Sequence, residues 1–335
     1  MYPRETYHML HYASALLPFI LFTSFASEAR SVELKRAPER IDVFVGGRPS
    51  TTYYFSPEMS KPYLMPLQTP SGVIVPGDFP IGNNVAGADT KDRSFEPHQR
   101  PLYFAHGNVD GLDYWSEEVF DHLMTDHGHQ AYGHMALKEL EQVEEAPDHA
   151  TVRARFRLLD PSGRQVAEET QSFTFRGDNR TRTIDCEFIV FATHGPVVFG
   201  DIKEGTFGIR LNRELSAHND HMLNSLGSRG EPAIWGKQAD WVSYSGAVAG
   251  KPVGIAIFDS PLSFRHPTYW MARAYGLFAA NPFGLRKFTG DNNQDGSWTV
   301  PEGRSLRFRY RVVIYDGEFT PSELADMYSQ YSAEK

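Results

Sequence analysis

From about Ser31 onward, apolar and polar positions alternate in short runs separated by turn formers. The runs IDVFVGG, TVRARFRLLD, ETQSFTFRG, RTIDCEFIVFA, PVGIAIFD and SLRFRYRVVIYDG carry this pattern most clearly. Alternation puts successive side chains on opposite faces, so each run reads as a strand with one wet face. Between them stand Asp160–Gly163, Arg176–Asn179 and Gly250–Pro252. There Gly reaches positive φ, Pro presets φ, and Asn or Asp tolerates left-handed backbone. One helix is predicted near the end, where Thr320 caps, Pro321 suits the first turn and Glu323 completes a capping box. No repeat and no linker interrupts the pattern. The chain is therefore expected to be all-β, an antiparallel sandwich of two large sheets, supersandwich-like, with a short C-terminal helix. A single domain is expected over residues 30–335.

Composition adds limits on partners. A 41% hydrophobic content supplies a core, and 13% aromatics, mostly Phe and Tyr, suit half-buried pleated surfaces. The formal charge of -9, with no Lys/Arg-rich run, excludes a nucleic-acid partner, because phosphate binding needs a basic face. Arg4 sits in a short polar head before an apolar stretch from about Ala13 to Phe25, and small residues follow around Ala26 and Ser27. That is the layout of a secretory signal peptide over residues 1–29, too short for a comfortable membrane span; an uncleaved anchor is the alternative. The lone Cys186 cannot form an intrachain disulfide. Secretion or a periplasmic location is expected, with no membrane contact beyond export; the sequence leaves the oligomeric state open.

Titratable and aromatic residues concentrate between the regular runs, where binding and catalytic residues tend to sit on a β scaffold. In the first cluster, Glu96 to Trp115, His98 and His106 lie eight apart with Arg100 and several carboxylates between and after them. These could form an acid/base pair near a hydroxyl-rich ligand, with Tyr114 and Trp115 as stacking rings; a self-satisfied long turn is the plain alternative. A second cluster, His122, His127, His129 and His134, invites a metal reading but lacks a matching carboxylate or Cys spacing, so a solvated turn is preferred. A third crowds Asp201, Lys203 and Glu204 into one turn, which suits either a tuned catalytic carboxylate or ordinary ion pairing. The fourth interleaves aromatics with charge, from Trp235, Lys237, Asp240, Trp241 and Tyr244 to His266, Tyr269, Trp270, Arg273, Tyr275 and Asn281. Such a set suits sugar recognition, rings stacking on C–H faces and charged groups holding hydroxyls or a carboxylate; core packing is the alternative for any single ring.

The loop Asp291, Asn293, Asp295, Gly296 and Glu302 matches the calcium-loop pattern of an EF-hand at each specified position. Its flanks do not, because strand-like sequence follows and Pro301 falls inside the loop. A hairpin turn is the plain reading, and a non-EF calcium loop the alternative. No other cofactor is expected.

The segments YLMPLQTPSG, LYFAHGNVDGLDYW, FGDIKEGTFGIR, WGKQADWVSYSG, YWMARAYGLFAANPFG and FRYRVVIYDG occur in that order. Together they resemble the PmoA-like family of unknown function, once labelled methane oxygenase, over most of the chain beyond residue 30. The old label does not suit a sequence whose only long apolar run is the export segment. The resemblance implies a secreted β-sandwich acting around carbohydrates. In that family an Asp-His-Pro-His-His-Arg-Gly stretch precedes the FAHG motif. Here the corresponding residues are Phe95-Glu96-Pro97-His98-Gln99-Arg100-Pro101. His98 and Arg100 remain while two His, the Asp and the Gly are replaced, which puts any activity that depended on them in doubt.

The leading expectation is an exported carbohydrate-active enzyme, most simply a glycoside hydrolase. His98 or His106 would move the proton, with Glu204 or Asp240 as the carboxylate. Arg100, Lys203, Trp235, Lys237, Trp241, Tyr244, His266, Tyr269, Trp270, Arg273, Tyr275 and Asn281 would hold the sugar. The alternatives are a carbohydrate-binding protein without catalysis and a sugar epimerase or lyase with a His-led site. Metal-dependent oxidation is disfavoured by the missing His₂-carboxylate spacing.

Overall fold

The computed structural model describes Met1 and residues 31–76, 97–123, 131–216 and 221–334. The expected signal peptide, Glu96, His127 and His129 lie outside the described residues, as does the side chain of His122.

The chain forms the antiparallel sandwich that its alternation predicts. One eight-stranded sheet runs β1 (Val32–Ala37), β2 (Arg40–Val45), β3 (Arg48–Tyr54), β4 (Tyr63–Leu64), β5 (Leu102–His106), β13 (Gly205–Arg210), β18 (Leu277–Asn281) and β17 (Tyr269–Ala272). The other runs β14 (Met222–Asn224), β15 (Trp241–Val248), β16 (Lys251–Asp259), β20 (Ser305–Asp316), β11 (Thr181–Phe191), β10 (Gln165–Gly177), β9 (Ala150–Leu159) and β8 (His134–Glu145). Two short ribbons accompany them, β12 (Val197–Phe199) with β19 (Trp298–Val300), and β6 (Leu112–Asp113) parallel to β7 (Ala131–Tyr132). Four helices, α1 (Arg213–Ser216), α2 (Glu231–Ile234), α3 (Leu285–Thr289) and α4 (Pro321–Ser332), lie outside the sheets.

The turns at Asp160 and Asp178 hold for the stated reasons, while the predicted Gly250–Pro252 turn sits earlier, at Ala249–Gly250, with Pro252 already in β16. Asp160 accepts the Ser162 and Arg164 amides at 2.9 and 3.0 Å, and Gly163 takes a φ of 84° that a side chain would strain. Asp178 likewise accepts the amides of Arg180 and Thr181, each at 2.7 Å.

Ring pairs contributed one from each sheet join the layers. Phe104 of β5 stacks on Phe188 of β11 at 4.2 Å, and Phe207 of β13 on Tyr310 of β20 at 4.7 Å. Tyr53 of β3 meets Phe173 of β10 edge-on at 5.0 Å. All six rings are buried, and each removes apolar surface worth about 2 kcal/mol from water. The outer face of the second sheet is covered by α4. Its capping box is complete, Glu323 N–H donating to Thr320 Oγ1 at 3.2 Å and Thr320 N–H to Glu323 Oε2 at 2.8 Å. Leu324 and Tyr331 of this helix pack with Phe258, Val313, Tyr315 and Trp241.

Candidate functional site

The first consequence of this packing is that several residues expected to meet a sugar are interior. Trp241 lies in the cluster beneath α4 and is 3% exposed. Trp270 is fully buried, its indole N–H donating to the Ala239 carbonyl at 2.8 Å. Tyr244 is buried against Phe278, with its hydroxyl donating to the Arg273 carbonyl at 3.1 Å. Tyr114 and Trp115 are core residues too, Trp115 resting on Tyr103 at 4.7 Å. In each case the ring is large enough to serve as core; strand alternation puts Trp241 and Tyr244 on the helix-covered and inner faces of β15, and the bend after β6 turns Tyr114 and Trp115 inward. None of them is a platform open to solvent.

The FAHG region is corrected in the same way. His106 is 2% exposed, and its ring sits between Phe199 and Phe283 at 5.6 and 4.9 Å. Nε2 donates to the Gly200 carbonyl at 2.8 Å, and burial holds the imidazole down at about 4, so it is neutral at physiological pH. A Cβ on Gly205 would stand 2.3 Å from His106 Nδ1, so only glycine lets this ring lie against the neighbouring strand. His106 is thus a core histidine rather than a proton carrier for a bound sugar. His98 is buried as well. Arg100 is fully buried in a bidentate pair with Glu117, Nε to Oε1 at 2.9 Å and Nη2 to Oε2 at 2.7 Å. The Lys61 ammonium donates to the same Oε1 at 2.9 Å and also to the Trp115 carbonyl at 2.6 Å. Arg100 therefore neutralises an interior carboxylate instead of reaching substrate. Nothing in its local sequence announces Glu117 or Lys61 as partners, because Glu117 lies 17 residues further on and Lys61 comes from the segment just before β4.

What the fold does expose is a cleft of about 590 Å³ lined by Asp201, Ile202, Lys203, Glu204, Trp235, Arg286, Lys287, Gly290 and Asn292. Three connections meet here: the β12–β13 loop, the residue after α2, and α3 with the loop that follows it. Trp235 is half-buried, edge-on to Phe288 at 5.6 Å, and Tyr269 stacks on the same Phe288 at 5.7 Å. Lys203 and Glu204 form an ion pair within the cleft wall. On the other flank of Trp235 lies a smaller hollow of about 240 Å³ with Glu231 and Arg273. Arg273 pairs with Glu231 at 3.3 Å and lies 5.8 Å from the Trp235 ring centre and 5.5 Å from that of Tyr275. Tyr275 also lies over Arg210, at 4.7 Å. Lys237 is exposed but does not line either hollow.

Two polar residues fix the cleft wall. Asn281, placed in the sugar-binding set on sequence, is fully buried and works on the backbone instead. Its Nδ2 donates to the Ile202 and Lys203 carbonyls at 2.9 and 3.0 Å, and its Oδ1 accepts from Phe283 and Gly284 N–H at 2.8 and 3.2 Å. Asp201 Oδ2 accepts the Arg286 and Gly296 amides at 3.0 and 2.7 Å, tying α3 to the β12–β13 loop. Replacing Asn281 by Ala leaves those groups without partners and is expected to cost about 2 kcal/mol. Chemical denaturation should show that loss, and hydrogen exchange should show faster opening at residues 201–204 than across β11. Uniform exchange throughout the sheet would instead mean that Asn281 acts only on global stability.

Asp240 and His266 meet elsewhere. His266 Nδ1 lies 2.9 Å from Oδ2 of the buried Asp259, and Nε2 lies 3.6 Å from Asp240 Oδ1. Burial lowers the imidazole, but the bond to Asp259 and the two carboxylates outweigh it, so His266 titrates above its ordinary value. Asp259 itself is raised, chiefly by burial.

The acidic loop turns its oxygens inward. Asp291 Oδ1 accepts from Asn293 N–H at 2.9 Å and Asp295 Oδ1 from Ser297 N–H at 2.9 Å. Glu302 lies beyond β19 on an exposed turn. Among the described residues no group of three or more His, Cys, Asp or Glu is arranged to hold a metal ion. The helix α3 precedes the loop where sequence reading placed none, but it is a single short turn.

Arg286, Lys287, Asn292 and Glu231 were not foreseen as site residues. The basic pair Arg286–Lys287 was a visible signal, but its segment read as an approach to a hairpin rather than as a cleft wall.

Fold and cleft together define an antiparallel β-sandwich with a loop-built, solvent-open hollow beside one tryptophan. Residues 40–329 match the family described as "Family of unknown function (DUF6807)", and the chain belongs to that family. The match carries no link to the PmoA-like family. No curated protein matches. Among solved structures, the chain is similar to a galactose mutarotase-like protein from Clostridium acetobutylicum, at 9% identity and a TM-score of 0.39, over 86% of this chain and 99% of that one. It is also similar to a GH36 alpha-galactosidase from Geobacillus stearothermophilus, at 11% identity and a TM-score of 0.36. That likeness covers 86% of this chain and spans 40% of the galactosidase. Neither likeness supplies a residue-by-residue correspondence for the cleft.

Proposed function

We propose that this is an exported carbohydrate-binding protein whose ligand lies in the cleft beside Trp235. The observation that supports the reading is the composition of that cleft, a hollow of about 590 Å³ joining a half-buried indole to Lys203, Glu204, Arg286 and Asn292. A sugar ring has an apolar C–H face for the indole and a rim of hydroxyls for the charged and amide groups. The N-terminal layout supports export.

Binding is favoured over hydrolysis on geometric grounds. Hydrolysis of a glycoside ordinarily takes two carboxyl groups flanking the bond. Of the two in the cleft, Asp201 is engaged by backbone amides and Glu204 by Lys203. His98 and His106, the expected proton carriers, are buried. A second reading, His-led epimerisation or elimination, rests on His266, a partly exposed imidazole oriented by a buried carboxylate. In that reading Asp259 holds the tautomer and Nε2, near Asp240, exchanges the proton.

Calorimetric titration across neutral, carboxylated and sulfated oligosaccharides tests the first reading. Saturable binding is expected, weakened about 30-fold by Trp235→Ala, the effect of losing one anchor ring worth about 2 kcal/mol. Unchanged affinity in that variant would remove the cleft from consideration. A product formed by wild type and lost in His266→Gln would replace the binding reading with the second one.

A further inference from the structure

We infer that the ligand of this cleft is an acidic saccharide, one bearing carboxylate or sulfate groups. This inference rests on the carbohydrate reading above and goes beyond it to the ligand's charge. The cleft contains three cations, Lys203, Arg286 and Lys287, against two carboxylates, Asp201 and Glu204. Both carboxylates are already committed, Asp201 to the amides of Arg286 and Gly296 and Glu204 to the Lys203 ammonium. Arg286 and Lys287 pair with no carboxylate among the described residues; the Arg286 side chain donates from Nε to the neutral carbonyl of Gln294 at 3.3 Å. Both side chains are exposed on α3, on the same wall that meets Trp235 through Phe288. The exposed Asp295 acts on Arg286 at longer range than an ion pair, so the hollow offers two positive charges outside any ion pair beside an aromatic face.

The rest of the molecule makes this local balance informative. The chain as a whole carries a formal charge of -9, so a polyanion is repelled by most of its surface and admitted only where cations are uncompensated. A neutral sugar needs no net positive charge in the cleft, since its hydroxyls are held as well by amides as by Arg286 or Lys287. A guanidinium and an ammonium a residue apart instead suit ligand oxygens that carry full charge, Arg in a fork and Lys as a point charge. Across Trp235, Arg273 is tied to Glu231, so the smaller hollow is balanced and suits a neutral sugar ring. The anionic group accordingly belongs on the α3 side.

The test uses the full mature chain and three probes of matched length: an oligogalacturonate, a sulfated galactan oligosaccharide and a neutral galacto-oligosaccharide. Titration should give binding of at least one acidic probe about tenfold or more tighter than the neutral one, weakening as salt rises. The double variant Arg286→Gln/Lys287→Gln, whose amides can still hold hydroxyls, should lose about five- to tenfold more affinity toward the acidic probe than toward the neutral one. Equal affinity for neutral and acidic probes, unmoved by salt and by the double variant, would overturn the acidic-ligand inference and leave the carbohydrate reading standing. Inorganic sulfate binding that the double variant abolishes, with no saccharide bound, would overturn the carbohydrate reading itself. Circular dichroism of the double variant checks its fold, and substitution of two exposed side chains on one short turn is expected to leave it intact.

Discussion

Replacing Glu117 by Gln is expected to destabilise the protein by about 4 kcal/mol, the cost of leaving buried charge without its counter-charge. Lys61 and Glu117 have side chains 0% and 1% exposed, and Arg100 is equally interior. Glu117 thus compensates two cations in a place that water does not reach, with the half-buried Asp113 a weaker further counter-charge to Lys61. An amide keeps the shape but not the charge, so both cations lose the carboxylate they share, and Lys61 keeps only its weaker interaction with Asp113. Burial by itself raises the Glu117 carboxyl, yet Lys61 and Arg100 more than offset it and hold the group below its ordinary range. The sign for acid follows from that depression. Stability from Glu117 is fully present above the unfolded-state value, about 4.3, and is lost as pH falls through the lower folded value. Equilibrium denaturation at neutral pH measures the first effect. A Glu117→Gln protein as stable as wild type would show that water or another anion serves the triad. Lys61→Met alone should cost less, because it leaves the Arg100–Glu117 fork in place.

Glu169→Gln is expected to act in the opposite direction, making the protein more stable as pH rises. Glu169 lies on β10, facing the sandwich interior, where it accepts the Gln171 side-chain amide at 2.8 Å. Gln171 in turn accepts the Tyr53 hydroxyl at 2.9 Å, so the polar pair spans both sheets. Burial pushes the Glu169 carboxyl up to about 8, against a small opposing pull from Gln171, and it is protonated at neutral pH. A raised folded value means stability that is present below the unfolded value and lost as pH rises through the folded one. Between an ordinary 4.5 and about 8 the loss amounts to about 5 kcal/mol. Gln is neutral throughout, so the stability gap in favour of the variant should widen by several kcal/mol between pH 5 and pH 8. His106, held low by burial, gives wild-type stability the opposite slope across part of this window. It does so in both proteins, so the difference between them isolates Glu169. A gap that stays constant with pH would sink the idea of a neutral carboxyl in this core.

Legibility in the sequence differed by feature for reasons of range. Strand identity, the Asp160 and Asp178 turns and the Thr320–Glu323 cap depend on residues within about four positions of one another. Those features stand in the structure as the local pattern required. Which aromatic becomes core and which faces solvent depends on what covers each sheet face. Trp235, Trp241 and Trp270 look alike in sequence, yet α4 covers Trp241, the first sheet's packing encloses Trp270, and Trp235 borders the cleft. The His98–His106 spacing failed as a site signal for the same reason, since both rings turn into the core.

The sequence by itself determined the β architecture, the Asp160 and Asp178 turns and the C-terminal helix, because alternation, turn chemistry and capping are local and repeat along the chain. Only the tertiary structure decided that Asn281 is a clamp, that Arg100 neutralises Glu117 and that Lys203, Trp235 and Arg286 share one cleft. Those contacts join residues from 17 to more than 79 positions apart. Their geometry follows from strand order and sheet stacking, which no local pattern specifies.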